Sequence, residues 1–225
     1  MISLSIIVPC LNEEENIEAT LLTLVAALNG RIKDYEILVF NDASTDGTQA
    51  KIESLSKKIP QLRPIQLSQH CGVGPIFMKG ISLAQKSHLT IFGGDNEIPQ
   101  TSIEAILDAA GSAEVIFTFI HNPEVRTWYR RLLSRSFTVL MNVASGNRLR
   151  YYNGPAIYSI DTLRKLNITY TGFGFLAEIA VRLLQQKYTD RQITFELRPR
   201  RGPSRMLTPL SLMEALHSLW RARSA

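Results

Sequence analysis

The sequence predicts an α/β fold, a mainly parallel twisted sheet with helices on both faces, built as one domain. Three observations lead to it. Short apolar runs recur along the first 120 residues and alternate with segments of helical spacing. Those runs are rich in Ile, Val, Leu and Phe with little polar alternation, as in strands covered on both faces. Polar clusters stand just past three of the strand ends, where open α/β sheets bind their ligands.

The elements follow in order. Residues 3–9 (SLSIIVP) read as the first strand. Asn12 stands three residues before Glu15, a capping-box spacing, and Ile17, Leu21, Leu24, Val25 and Leu28 continue at helical intervals, so 13–29 is predicted helical. Strands are expected at 35–40 (YEILVF), 63–68, 88–93 and 113–120 (AEVIFTFI), with helices at 47–59, 75–86 and 101–110 between them. Regularity weakens after residue 121. A long amphipathic helix is expected over 126–145, a strand at 153–160 (NGPAIYSI), a helix over 171–188 and a last strand at 194–199. Thr208-Pro209 is a sensible start for a C-terminal helix over 209–223. The expected organisation is a main domain over 1–207 and an appended amphipathic helix over 208–225.

Composition narrows the function classes. The 225 residues are 45% hydrophobic and 20% charged, which excludes a disordered chain. A net charge of +5 suits an anionic partner such as a phosphorylated substrate or a membrane surface. The acidic strand ends argue against nucleic acid. Cys10 and Cys71 lack metal-ligand spacing and fit a reduced, cytoplasmic setting. The N-terminus reads as a strand rather than a signal peptide, and no apolar run approaches the roughly 18 residues that span a bilayer.

The strand-end clusters carry the chemistry. "IFGGDNEIP" (91–99) brings Asp95 and Glu97 behind Gly93 and Gly94. If the segment is extended, both carboxylates face one side and suit Mg²⁺ or Mn²⁺ shared with a diphosphate. The other reading is an acidic helix start. "NDASTDGT" (41–48) is either a turn with caps or a place where Asp42 accepts from a nucleobase or ribose. "NEEEN" (12–16) alone reads as an acidic helix start. All three clusters are expected on one sheet edge.

Taken together, "IIVPCLNEEENI", "ILVFNDASTDGT" and "FGGDNEIP" have the order and spacing of glycosyltransferase family 2. They resemble the dolichol-phosphate mannosyltransferase group in particular, and the resemblance continues through "WYRRLLSR" (128–135), "NGPAIYSIDTLRKL", "FGFLAEIAVRLLQQKY" and "RRGPSRM" (200–206). It implies a single nucleotide-sugar-binding domain of the GT-A type. It implies donor binding by Pro9, Leu11, Glu13, Asp42 and Gly94, with the metal and diphosphate at Asp95 and Glu97. It implies that Ser204 and Arg205 lie near substrate phosphates. Several positions depart from the family pattern. Gly93 stands at the first Asp of the usual Asp-x-Asp, and Glu97 where glutamine is common. The usual Gly-Ser-Arg after the fifth strand is replaced by "FTFIHNP", and Ala156 stands where an arginine is common. A phosphate contact would then be lost, or supplied by Arg130, Arg131, Arg198 or Arg200.

The resemblance implies an inverting transfer from a GDP- or UDP-sugar to a polyprenyl phosphate. A saccharide or lipid hydroxyl is the alternative acceptor, with Glu178 as general base, and a non-catalytic nucleotide-sugar-binding subunit is the alternative class. Arg126, Arg130, Arg131 and Arg135 interleave with Trp128, Leu132, Leu133, Phe137 and Leu140, a pattern for peripheral membrane contact or for packing on the sheet. His70 and His121 read as solvated loop residues, with a place facing the cleft as the alternative.

Overall fold

The structure is a computed structural model and describes residues 2–166, 168, 172 and 174–199. The expected helix at 209–223, and Ser204 and Arg205 before it, lie outside the described residues. The chain runs β1 (Leu4–Cys10), α1 (Ile17–Leu28), β2 (Tyr35–Asn41), α2 (Thr48–Ser56), β3 (Leu62–Gln66), α3 (Val73–Leu83), β4 (His88–Ile91), α4 (Gln100–Asp108) and β5 (Val115–Ile120). A single 3₁₀ turn, Pro123–Val125, leads to α5 (Trp128–Ser145), β6 (Ile157–Ser159), α6 (Ile160–Lys165), α7 (Phe175–Gln185) and β7 (Asp190–Phe195).

The seven strands form one sheet in the order β3-β2-β1-β4-β6-β5-β7. All pairings are parallel except those of β6, which runs antiparallel to both β4 and β5. Successive residues of the inner strands point to opposite faces. Ile6, Val8, Ile37 and Val39 join α1, α2 and α4 on one face, while Ile7, Leu38 and Phe40 join α3, α5, α6 and α7 on the other. The two-sided burial explains the unbroken apolar runs. Packing is close where α3 crosses β1: a Cβ on Gly80 would stand 2.2 Å from Ile7 Cδ1.

The layout positions the site. From β1 the chain moves outward to β2 and β3, then returns through α3 to β4 on the other side of β1. The carboxyl ends of β1 and β4 therefore flank a topological switch point. Because β6 is antiparallel, it starts toward the side of the sheet at which β1, β2, β4, β5 and β7 end.

Three local expectations are corrected. Asn12 is not a helix cap: it has φ 53°, and its Oδ1 accepts from the Thr45 N–H at 2.8 Å. Helix α1 begins at Ile17, after a turn in which Asn16 and Ile17 donate to Glu13 O. The last strand is Asp190–Phe195 rather than 194–199. As an edge strand beside β5 it exposes much of its surface, so its first half is polar. Helix α6, where Ser159 Oγ accepts from the Thr162 N–H at 3.4 Å, was not expected.

Candidate active site

The ends of β2, β1 and β4 lie side by side, and the three polar clusters are tied together there. Gly94 N–H donates to Pro9 O at 3.1 Å, and Asp42 N–H to Cys10 O at 2.9 Å. Thr20 Oγ1 donates to Gly94 O at 2.9 Å, which fixes α1 to the same point.

Much of "NDASTDGT" is a clasp for residues 12–14. Asn12 N–H donates to Ser44 Oγ at 2.9 Å, Glu13 N–H to Thr48 Oγ1 at 2.9 Å and Glu14 N–H to Asp46 Oδ2 at 3.2 Å. Gly47 N–H donates in return to Glu14 Oε2 at 2.9 Å. Burial works against ionisation of Asp46, but the hydrogen bonds from Thr48 and Glu14 prevail and hold its carboxyl below the usual range. Glu13 itself is half-buried and accepts from Asn16 Nδ2 at 2.7 Å, while Pro9 and Leu11 are half-buried beside it.

Asp42 is covered. Its Oδ1 accepts from the Cys71 N–H at 2.8 Å and its Oδ2 from the Gly72 N–H at 2.9 Å, and His70 Nδ1 stands 2.7 Å from Oδ2. His70 is thus a partner of the site rather than a detached loop histidine. The loop glycine beside it was the available signal, since Gly72 at φ 83° lets the chain fold back on Asp42.

Residues 95–97 form a turn, not the extended segment expected. Asn96 has φ 53°, and the Glu97 N–H approaches Asp95 Oδ1 at 3.3 Å. Both carboxylates remain half-buried at the strand end. The two glycines have different reasons. A Cβ on Gly94 would stand 2.8 Å from Cys10 Cβ, so β1 itself demands glycine there. A Cβ on Gly93 would stand 3.0 Å from Asp95 Oδ1, so glycine leaves that carboxylate room.

The end of β7 reaches the acidic turn, and the end of β5 holds the end of β7. Arg198, just past β7, donates its N–H to Glu97 O at 2.7 Å and Nη1 to Asn96 Oδ1 at 2.7 Å. Asn122, just past β5, exchanges two 2.9 Å bonds with the backbone of Leu197. The departure "FTFIHNP" therefore serves to clamp β5 to β7. Arg130 and Arg131 occupy the first turn of α5, half-buried, at the β5 end of this edge. Arg126 Nη1 donates to Tyr151 OH at 3.2 Å, and the Arg150 guanidinium stacks 3.8 Å over Phe119. Glu178 lies elsewhere in kind: its side chain is fully buried in α7, and Arg182 Nε and Nη2 both reach Oε1 at 2.9 Å.

Among the described residues no three His, Cys, Asp or Glu side chains gather into a group. Two hard carboxylates on one turn fit a Mg²⁺- or Mn²⁺-type ion that takes its other oxygens from water and substrate phosphates.

Glycosyl transferase family 2 matches over residues 5–184, most of the chain. The chain belongs to glycosyltransferase family 2. Among the relatives of this family 2 chain is a dolichol-phosphate mannosyltransferase from Pyrococcus furiosus, 27% identical over 96% of this chain and 62% of that protein. An undecaprenyl-phosphate 4-deoxy-4-formamido-L-arabinose transferase from Edwardsiella ictaluri is 22% identical over 66% of this chain and 46% of that protein. The chain thus spans about half to three-fifths of the length of these relatives. Among solved structures, glucosyl-3-phosphoglycerate synthase from Mycobacterium tuberculosis with Mn²⁺, UDP and glucosyl-3-phosphoglycerate superposes with a TM-score of 0.76. It is 15% identical, covering 98% of this chain and 80% of that one, and a form with Mg²⁺ and UDP gives 0.74. At such identity the likeness shows the GT-A fold.

Proposed function

We propose that the protein is an inverting glycosyltransferase that moves a sugar from a nucleotide-diphosphate sugar, GDP- or UDP-linked, to a polyprenyl phosphate. The observation that carries this reading is the shared edge. Acidic and glycine-bearing turns follow β1, β2 and β4, and Arg126, Arg130 and Arg131 follow β5 in the chain. The Mn²⁺ and UDP of the superposed synthase and the polyprenyl-phosphate names of the relatives support it.

In this reading Pro9, Leu11, Glu13, Asp42 and Gly94 form the donor cradle. Asp95 and Glu97 hold a divalent cation, which when bound supplies charge neutralisation on the departing diphosphate. Arg130 and Arg131, with Ser204 and Arg205, hold the acceptor phosphate. An acceptor phosphate oxygen attacks the anomeric carbon as the bond to the nucleoside diphosphate breaks on the opposite side, so configuration inverts. A phosphate monoester has its second pKa near about 6 and is mostly a dianion at neutral pH. It needs no general base. The work of the chain is alignment of two charged substrates and stabilisation of charge.

A hydroxyl acceptor would need a base. Glu178 has no exposed side-chain surface and is held by Arg182, so that role requires the start of α7 to open. This favours the phosphate acceptor. Membrane contact accords with α5: Trp128, Leu132, Val139 and Val143 are exposed at intervals of four, seven and four, whereas Phe137 and Met141 are buried in the core. No helix among the described residues is long and apolar enough to cross a membrane. Contact would be peripheral, on the cytoplasmic face.

The test is a transfer screen across UDP- and GDP-sugars with Mn²⁺ or Mg²⁺, offering a short polyprenyl phosphate or a saccharide. Transfer to the phosphate supports the proposal. Transfer only to the saccharide moves the reading to the hydroxyl acceptor, and nucleotide binding without any transfer or hydrolysis moves it to a non-catalytic binding subunit.

A further inference from the structure

The covered state of Asp42 has a consequence for how the donor is read. Its side chain keeps 5% of its surface, while that of His70 keeps 61%. Two backbone N–H groups just before α3 donate to the Asp42 carboxylate, and His70 Nδ1 stands 2.7 Å from it. Those two bonds hold the backbone of the loop that leads into α3. The 2.7 Å approach of His70 Nδ1 adds nothing to that backbone, and it holds an exposed aromatic ring at the edge where β1 and β2 end. With Nδ1 against Asp42, the remaining ring nitrogen is Nε2.

We propose that His70 is the residue that meets the nucleobase of the donor, and that Asp42 is the positioning residue that holds the His70 ring and the 70–72 loop. The inference rests on the donor-site reading above and changes which side chain does the recognising. A nucleobase offers a flat face that stacks on an imidazole and an edge of amide-like groups that can bond Nε2. A ring already tied at one nitrogen loses less freedom on binding than a loose one. Asp42, with both oxygens engaged and little surface, acts through this ring and through the loop backbone it holds.

The test uses the full-length protein and isothermal calorimetry with UDP and GDP in the presence of Mn²⁺. Asparagine at position 70 retains an N–H close to where Nδ1 stands but lacks Nε2. His70→Asn and His70→Ala are each expected to weaken nucleotide binding about tenfold, the worth of one good hydrogen bond or stack. Their melting temperatures should stay within about 2 °C of the unaltered protein, as for an exposed residue. Asp42→Asn should weaken binding as well, and the double variant His70→Asn with Asp42→Asn should be no weaker than the worse single one, because both changes break one unit. A His70→Asn protein that binds like the unaltered protein overturns the inference and returns recognition to Asp42. A double variant that loses the two effects multiplied overturns it too, since it makes the contacts independent. If the unaltered protein binds neither nucleotide, the donor-site reading itself fails and the inference with it.

Discussion

Glu178 is expected to be a structural residue, and its replacement separates that role from catalysis. Arg182 Nε and Nη2 both lie 2.9 Å from Glu178 Oε1, with the two side chains 12% and 0% exposed. The pair sits in α7 within the apolar cluster that includes Phe77 and Phe175, whose rings are 5.2 Å apart. Removing one member of such a pair strands the other charge, at a cost of about 3–5 kcal/mol. For a domain of this size each kcal/mol lowers the melting temperature by about 2–4 °C, so Glu178→Ala should melt roughly 6–20 °C lower. Glutamine keeps an acceptor oxygen but loses the charge, and should cost about 1–3 kcal/mol. Glu178→Leu with Arg182→Met should recover much of the alanine loss, because neither charge is left behind. The assay pairs thermal unfolding by circular dichroism with initial rates on a phosphate acceptor. A lost general base lowers turnover by about 10²–10⁴. A Glu178→Gln protein with an unchanged melting temperature and a hundredfold lower kcat would refute this reasoning, as would a Glu178→Ala protein as stable as the unaltered one.

Three other outcomes are expected. Burial, with the charges of Glu13, Asp46 and Asp42, pushes the Cys10 thiol up to about 12. An unfolded thiol ionises near about 8.5, so the contribution is complete below that pH and is lost on rising toward about 12, at up to about 1.4 kcal/mol per unit. Urea midpoints should therefore fall less steeply above pH 9 in Cys10→Ala than in the unaltered protein, and equal slopes would count against it. Gly94→Ala should cost about 1–3 kcal/mol, because Cys10 Cβ at 2.8 Å and Pro9 O at 3.2 Å cannot both yield. Gly93→Ala presses only on the rotatable Asp95 carboxyl and should alter metal dependence with little change in melting temperature; the reverse pattern would refute the stated reasons for the two glycines. Sedimentation with anionic vesicles should capture the protein at low salt and release it as salt shortens the Debye length from about 10 Å toward 3 Å. Trp128→Ala with Leu132→Ala should weaken capture, and indifference to these changes would remove α5 from the contact.

The fold was legible where burial dictates composition. Ile6, Ile7, Val8, Leu38, Val39 and Phe40 are covered on both faces, and their strands lie within a residue or two of where the apolar runs put them. The switch of direction at β6 was not legible, because three residues with both neighbours antiparallel look like any other short apolar run. Strand β7 was displaced since its exposed half carries Asp190, Arg191 and Gln192. At the site, spacing located the three strand-end clusters correctly but not the partners within them. Asn12 has a capping-box neighbour yet serves Thr45, 33 residues away. Asp42 answers His70, Cys71 and Gly72 across a separation that no local pattern reveals. The half-turn at Asn96 likewise depends on a left-handed residue that looks ordinary in sequence.

The central claim is that the acidic turn after β4 supports cation-dependent sugar transfer from a nucleotide donor. The direct measurement is the rate of sugar transfer to a short polyprenyl phosphate, with and without Mn²⁺, for the unaltered protein and for Asp95→Ala at matched folding. The account predicts transfer that requires the cation and that Asp95→Ala abolishes while its melting temperature is retained. Equal transfer by Asp95→Ala, or a rate indifferent to chelation of the cation, would contradict it.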